Sequence, residues 1–182
     1  NQNGTISVIN QNACGTDTAS LNVEVIRQLP YPDPDQPHVI PGTIASVEFD
    51  TGGEGFAYHD NEADNQGTAS RQDEGVDTER NDGGENIGWT IAGEWLEYTV
   101  AVEESKTYDL ECRVASTNAN GKFKILFNGI DKTGEIKAPN TNSWSTFKSI
   151  YIKDLNLSDT DTLMRVEILT GDFNLGRMIF AD

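Results

Sequence analysis

The stretch GGENIGWTIAGEWLEYTVAV, residues 83–102, decides the fold class. In its second half Leu96 and Tyr98 fall on one face of an extended chain. Alternation of apolar residues with a period of two is typical of a β-strand that has one face in a core. We therefore predict a strand pair over 87–102 that turns near Gly93. Leu96 and Tyr98 are predicted to lie in the core.

Further short segments on both sides of this stretch alternate in the same way. They are joined by turns rich in glycine and asparagine, and no window of eleven or more residues shows the apolar spacing of a helix. Many short strands joined by such turns are typical of a β-sandwich, so we predict an all-β fold. The additional predicted strands cover residues 43–49, 107–116, 122–128, 143–152, 163–169 and 178–181.

The chain divides into three parts. Residues 1–26 contain two alternating runs with a polar turn, which predict a β-hairpin from a truncated neighbouring domain; the pattern is similar to the last two strands of an immunoglobulin-like module. Residues 27–39 are rich in proline, which removes backbone donors and fixes φ, so we predict an extended linker. Residues 40–182 form the predicted sandwich domain.

The charge balance excludes two classes of partner. The net charge is −17, from 30 acidic and 13 basic residues. A field of this sign repels nucleic-acid phosphates and anionic lipid headgroups. No stretch approaches the roughly 18 apolar residues that a membrane span needs. We therefore expect neither nucleic-acid binding nor membrane insertion, and the charge suits a neutral ligand, a cation or a solvated surface.

Seven segments of the predicted sandwich domain carry a resemblance to a known family. They are IPGTIASVEFD (40–50), GFAYHD (55–60), VDTE (76–79), GGENIGWTIAGEWLEYTVAV (83–102), YDLECRVAS (108–116), PNTNSW (139–144) and GDFNL (171–175). In this order, from about residue 40 to the end of the chain, they resemble a family 6 carbohydrate-binding module. The resemblance implies a β-sandwich jelly roll without catalytic activity, whose loops at one end clasp a sugar ring between two aromatic rings.

The resemblance assigns four ligand-binding positions. Trp89 and Trp144 correspond to the two aromatic rings, Asn174 to the asparagine that bonds hydroxyls, and Glu79 to an acidic residue beside it. The chemistry agrees, because the apolar face of a pyranose stacks on an indole while amide and carboxylate groups bond the hydroxyls at its edge. Trp95 corresponds to an aromatic on the concave face of one sheet, where some family members have a second binding surface.

Two departures from the family pattern affect metal and charge recognition. The family holds a structural calcium with two carboxylates of its first strand, and here Ala45 and Val47 occupy those positions. Calcium requires oxygen ligands, so the usual site is in doubt, although Asp182 and backbone carbonyls are possible ligands. Arg177 replaces a family aromatic near the end of the chain, where it offers a contact for an anionic sugar.

The function implied is a module that targets an attached glycoside hydrolase, in a secreted or cell-surface protein, to an oligo- or polysaccharide. The segment YHD followed by N-x-G resembles modules of enzymes that act on marine galactans such as agarose and on β-glucans. One alternative is a glycoside-cleaving domain that uses paired carboxylates, with Glu94 and Glu97 as the candidates nearest the aromatics. Another is a structural or adhesion module without a ligand.

Overall fold

The computed structural model describes residues 2–81 and 83–182, and within these ranges every regular element is a β-strand. Over the same residues, no helix has the length and apolar character needed to cross a membrane. The strands are β1 Gln2–Asn12, β2 Gly15–Val25, β3 His38–Ile40, β4 Gly42–Ala45, β5 Tyr58–His59, β6 Thr78–Asn81, β7 Gly84–Ile87, β8 Trp95–Val102, β9 Lys106–Ser116, β10 Lys122–Phe127, β11 Ile130–Asp131, β12 Ile136–Lys137, β13 Ser143–Leu157, β14 Leu163–Thr170 and β15 Asn174–Ala181.

The strands after β2 form two sheets. One sheet has the order β11-β10-β14-β8-β3, with β12 added to β10 and β5 added to β8. The other has the order β13-β9-β15-β7-β6, with β4 added to β15. The inward faces of both sheets contribute to one hydrophobic core. The predicted all-β sandwich is therefore confirmed.

The core contains the side chains that the alternation in β8 predicts. Leu96 is 4% exposed and Tyr98 is fully buried. The ring of Phe123 from one sheet stacks on that of Phe173, beside the other sheet, with 5.2 Å between centroids. Each large apolar side chain buried in this way contributes about 2 kcal/mol, and this packing fixes the loops at the ends of the strands.

The predicted strand pair over 87–102 is wrong. β7 ends at Ile87 and pairs within the six-stranded sheet, whereas β8 begins at Trp95 and belongs to the other sheet. The intervening residues cross from one sheet to the other. Trp89 and Gly93 have φ values of +47° and +99°, which interrupt an extended chain. Alternation shows which face of a strand is buried, but it does not show which strand is its partner.

The N-terminal hairpin predicted for residues 1–26 is present as an antiparallel pair of β1 and β2. Ile6 lies opposite Leu21, and these side chains are 59% and 64% exposed. One face of the hairpin is thus apolar and largely open to solvent.

The proline-rich segment lies against the sandwich from Gln28 onward. The backbones of Leu29 and Thr51 exchange two hydrogen bonds of 3.0 and 2.8 Å. The side chain of Gln28 donates to Asp50 and to Glu97, each at 2.9 Å. These contacts join the segment to the domain. The first sandwich strand, β3, begins two residues before the predicted boundary at residue 40.

Candidate functional site

The four predicted binding residues meet at one end of the sandwich. They line a single cleft of about 390 Å³, a volume within the range of about 300–1,000 Å³ that small-molecule sites occupy. The residues that line it are Glu79, Trp89, Thr90, Ile91, Trp144, Asp172, Phe173 and Asn174.

Trp89 lies on the segment that crosses between the sheets, and its side chain is 46% exposed. Its φ of +47° is unusual for a bulky residue and costs about 1–2 kcal/mol. Neighbouring bonds hold this conformation. Gly88 N donates to Asp77 O at 3.0 Å, and Thr90 Oγ1 donates to Phe173 O at 2.7 Å. The backbone strain therefore lies at the residue whose ring the cleft exposes.

Trp144 lies near the beginning of β13 and is 43% exposed. The pairing of β13 with β9 shifts between Ser143 and Lys148, so the residues between them leave the regular ladder. The preceding loop is fixed because Thr141 Oγ1 accepts from Ser116 N at 3.0 Å. The second indole is thus presented on an irregular segment with a fixed base.

Asn174 and Glu79 form the polar floor of the cleft that the two indoles also line. Asn174 is 3% exposed, and its Nδ2 donates to Glu79 Oε1 at 2.5 Å and to Trp144 O at 2.9 Å. Behind them the buried Asn86 donates from Nδ2 to Glu79 Oε1 at 3.2 Å. Three segments that are distant in sequence are therefore joined by one hydrogen-bond network.

Two glycines permit this close packing. A Cβ on Gly171 would lie 1.8 Å from Thr90 O, so the chain that leads to Asn174 passes the Trp89 segment only without a side chain there. A Cβ on Gly88 would lie 3.1 Å from Asn174 Oδ1. The absence of that carbon leaves room around the amide oxygen.

The sequence reasoning missed several members of the site. Ile91 and Asp172 line the cleft, and Asn86 supports its floor. Asn86 was visible in the sequence as the asparagine of GGENIG, but nothing in that segment shows which carboxylate it bonds. Arg177 is not among the lining residues; it follows in β15, opposite Arg113 and Ala45.

Trp95 lies in the seven-stranded sheet and does not line the cleft. The guanidinium carbon of Arg165 is 4.0 Å from the centre of its ring. Arg165 is held there by Glu97, whose Oε1 accepts from its Nε at 2.8 Å and from Nη2 at 2.6 Å. One face of this indole is therefore covered by a cation–π contact.

The residues at the family's calcium positions do not fit the metal. Ala45 and Val47 have no side-chain oxygen, and the Asp182 carboxylate pairs with Lys106 Nζ at 2.9 Å. Over residues 2–81 and 83–182, no cluster of three or more acidic, histidine or cysteine side chains is suited to hold a metal ion.

The two carboxylates considered for glycoside cleavage lie outside the cleft. Glu94 is 8% exposed, and its Oε2 accepts from Ile91 N at 2.8 Å. Burial raises the pKa of Glu94 to about 7, and the nearby Asp60 also favours protonation. Burial likewise raises the pKa of Asp60 to about 6. Glu97 is 5% exposed and bonded to Arg165. These carboxylates do not flank an open site as hydrolysis requires.

The sequence matches the model of carbohydrate-binding module family 6 over residues 66–175, more than half of the chain, and all four predicted site residues fall within the match. The chain belongs to this family of non-catalytic carbohydrate-binding modules.

Solved structures share the fold. The C-terminal family 6 module of a marine laminarinase from Zobellia galactanivorans is 22% identical, with a TM-score of 0.61 over 77% of this chain and 98% of that one. A family 6 module of Clostridium stercorarium in complex with cellobiose is 15% identical, with a TM-score of 0.62 over 81% and 98%. A β-1,3-glucan-binding module from Bacillus halodurans is 19% identical, with a TM-score of 0.58 over 81% and 100%. At these identities the likeness establishes the jelly-roll fold.

Proposed function

We propose that this carbohydrate-binding module holds one sugar ring between Trp89 and Trp144, with its hydroxyls on Asn174 and Glu79. The observation that carries the proposal is the exposure of both indoles, 46% and 43%, on one cleft that the polar side chains of Asn174 and Glu79 also line. A half-exposed indole offers a flat apolar face that a pyranose can cover with little loss of side-chain entropy. The contact area is small, so we expect weak binding, strengthened when several modules bind one polysaccharide.

The polysaccharide that we propose is a β-glucan or a marine galactan such as agarose. The related module from Bacillus halodurans binds β-1,3-glucan, and that from Clostridium stercorarium was solved with cellobiose. Both ligands are neutral, which suits a chain of net charge −17.

We further propose that the module targets an attached glycoside hydrolase in a secreted or cell-surface protein, as the Zobellia module is part of a laminarinase. In this organisation the N-terminal hairpin is the end of a preceding immunoglobulin-like domain, which covers the exposed apolar side chains of Ile6 and Leu21. We propose that no calcium is bound at the family's usual position, because Ala45 and Val47 have no side-chain oxygen.

A glycan array that includes laminarin, cello-oligosaccharide and neoagaro-oligosaccharide probes tests the binding and identifies the sugar. Trp144→Ala is expected to abolish binding while thermal unfolding stays cooperative. Tyr151→Ala removes another exposed aromatic ring, 62% exposed against 43% for Trp144, that does not line the cleft, and it is the control. Release of new reducing ends from the bound oligosaccharide would instead support the glycoside-cleaving alternative. Unchanged binding by the Trp144 variant would exclude the proposed site.

A further inference from the structure

The orientation of the Asn174 amide is fixed by its partners. Its Nδ2 has two hydrogens, and both are donated, one to Glu79 Oε1 and one to Trp144 O. A carboxylate and a backbone carbonyl can only accept, so the nitrogen must face them. The amide oxygen is therefore the atom of Asn174 that remains for a ligand.

The orientation of Glu79 is fixed in the same way. Its Oε1 accepts from two amide nitrogens, those of Asn174 and Asn86. Asn86 is fully buried, and its Nδ2 also donates to Ile87 O at 3.1 Å. Oε2 of Glu79 receives no hydrogen bond from a described residue. One carboxylate oxygen is thus committed to the protein, and the other remains for a ligand.

Both remaining oxygens are available. Asn174 and Glu79 both line the cleft, and neither Asn174 Oδ1 nor Glu79 Oε2 is among the buried, unpartnered polar atoms of the described residues. Because residue 88 is glycine, no side chain lies against Asn174 Oδ1 from that position, where a Cβ would be 3.1 Å away. The hydroxyl of Thr90 adds no free donor, because it donates to Phe173 O and accepts from Phe173 N at 3.2 Å.

We infer that the cleft floor recognises sugar hydroxyls in one direction, accepting two hydrogen bonds through Asn174 Oδ1 and Glu79 Oε2 and donating none. This inference rests on the proposed function and specifies the class of sugar. The edge of the sugar ring that enters the cleft must carry two groups that can donate a hydrogen bond. A neutral sugar with two unmodified hydroxyls has them, and so does an amino sugar. A sulfate ester, a carboxylate or a methyl ether at that edge offers no donor and is rejected.

Sugars in which single hydroxyls are replaced test the direction of the hydrogen bonds between the floor and the sugar. Methyl β-glucoside and methyl β-galactoside are compared by NMR titration with derivatives in which each hydroxyl in turn is replaced by hydrogen, by fluorine or by an amine. Fluorine can accept but cannot donate, and a protonated amine can only donate. At two positions we expect fluorine and hydrogen each to weaken binding about tenfold or more, because an acceptor in the floor loses its donor. An amine at either position is expected to preserve or strengthen binding.

The substitution Glu79→Gln changes one hydrogen-bond acceptor of the floor into a donor. In Glu79→Gln the side-chain oxygen must face the two amide nitrogens, so its NH₂ group takes the place of Oε2 and becomes a donor. We expect the difference between hydroxyl and fluorine to shrink at one position, and the amine to bind less tightly there than it binds the parent protein. Glu85→Gln makes the same charge change outside the cleft and is expected to behave like the parent.

The outcomes separate the two proposals. If the fluorinated sugars still bind and the deoxy sugars do not, the floor donates a hydrogen bond to the sugar. That result would overturn the inference and leave the proposal of sugar binding intact. Unchanged discrimination by the Glu79→Gln variant would overturn the assignment of Oε2. Absence of binding to the parent glycosides and to every oligosaccharide on the array would refute the proposed function itself. The sugar series uses the unmodified protein, so the inference is testable even if the variant fails to fold.

Discussion

Replacement of Trp89 by alanine or by glycine separates the two consequences of its position, the exposed ring and the positive φ. A tryptophan has about 250 Å² of accessible surface, so an exposure of 46% leaves roughly 110 Å². A sugar stacked on one face covers about half of that area and loses a similar area of its own. At about 25 cal/mol per Å², the contact is worth about 3 kcal/mol. Both variants are therefore expected to bind about 100-fold more weakly.

The glycine variant is expected to be more stable than the alanine variant, which is the reverse of the usual order of these two residues. Glycine is normally less stabilising than alanine by about 0.5–1 kcal/mol. At φ +47° an L-residue with a Cβ is strained by about 1–2 kcal/mol, and glycine is not. We expect Trp89→Gly to be more stable than Trp89→Ala by about 1 kcal/mol.

Titration calorimetry with the oligosaccharide that the array identifies measures the affinity, and urea unfolding measures the stability of both variants. Tyr151→Ala is the control for loss of an exposed ring outside the cleft. Parent-like affinity in either Trp89 variant would refute the stacking argument. A glycine variant no more stable than the alanine variant would refute the strain argument and leave the binding argument intact.

Three further predictions concern the floor, the buried acids and calcium. Gly88→Ala places a methyl group about 3.1 Å from Asn174 Oδ1 and is expected to weaken oligosaccharide binding at least tenfold, whereas Gly84→Ala, with no atom within 4 Å of the added carbon, is expected to bind normally. Burial raises the pKa of Glu94 from 4.5 to about 7, so the folded state holds this proton more tightly than the unfolded state. The contribution of Glu94 to stability is therefore expected to fall by roughly 3 kcal/mol as the pH rises from below 4.5 through about 7, and urea unfolding of Glu94→Gln is expected to show a fall that is smaller by about that amount. A chelator is expected to leave the melting temperature unchanged, and a drop of several degrees that added calcium reverses would show that the fold retains a metal through other ligands.

The sequence was most informative about the interior of the sandwich. The alternation in β8 identifies Leu96 and Tyr98 as core residues, because one face of that strand must pack against the opposite sheet. The same pattern could not show that β7 and β8 belong to different sheets. That separation depends on backbone angles at Trp89 and Gly93 and on pairing with strands that are far away in the chain.

Four residues of the cleft were predictable from the resemblance, but Ile91, Asp172 and the direction of the hydrogen bonds in the floor were not. An asparagine can donate and accept, so Asn174 alone leaves the chemistry of the ligand open. The structure removes that freedom through Glu79, which lies 95 residues earlier in the sequence, and through the carbonyl of Trp144. No local pattern encodes these contacts, because each depends on how three separate loops approach one another.

Stacking and hydrogen bonding have different roles in such a cleft. An indole stacks on the apolar face of many pyranoses, so the two rings supply affinity with little discrimination between sugars. Discrimination arises where a buried acceptor is left without a donor, and the floor contains two acceptors that the protein itself does not satisfy. The carboxylate of Glu79 and the overall negative charge both oppose an anionic substituent at the same place. Selectivity among polysaccharides is therefore expected to follow the pattern of free hydroxyls at the inserted edge. Substitutions at the floor should change which sugar is bound, and substitutions of the indoles should change how tightly every sugar is bound.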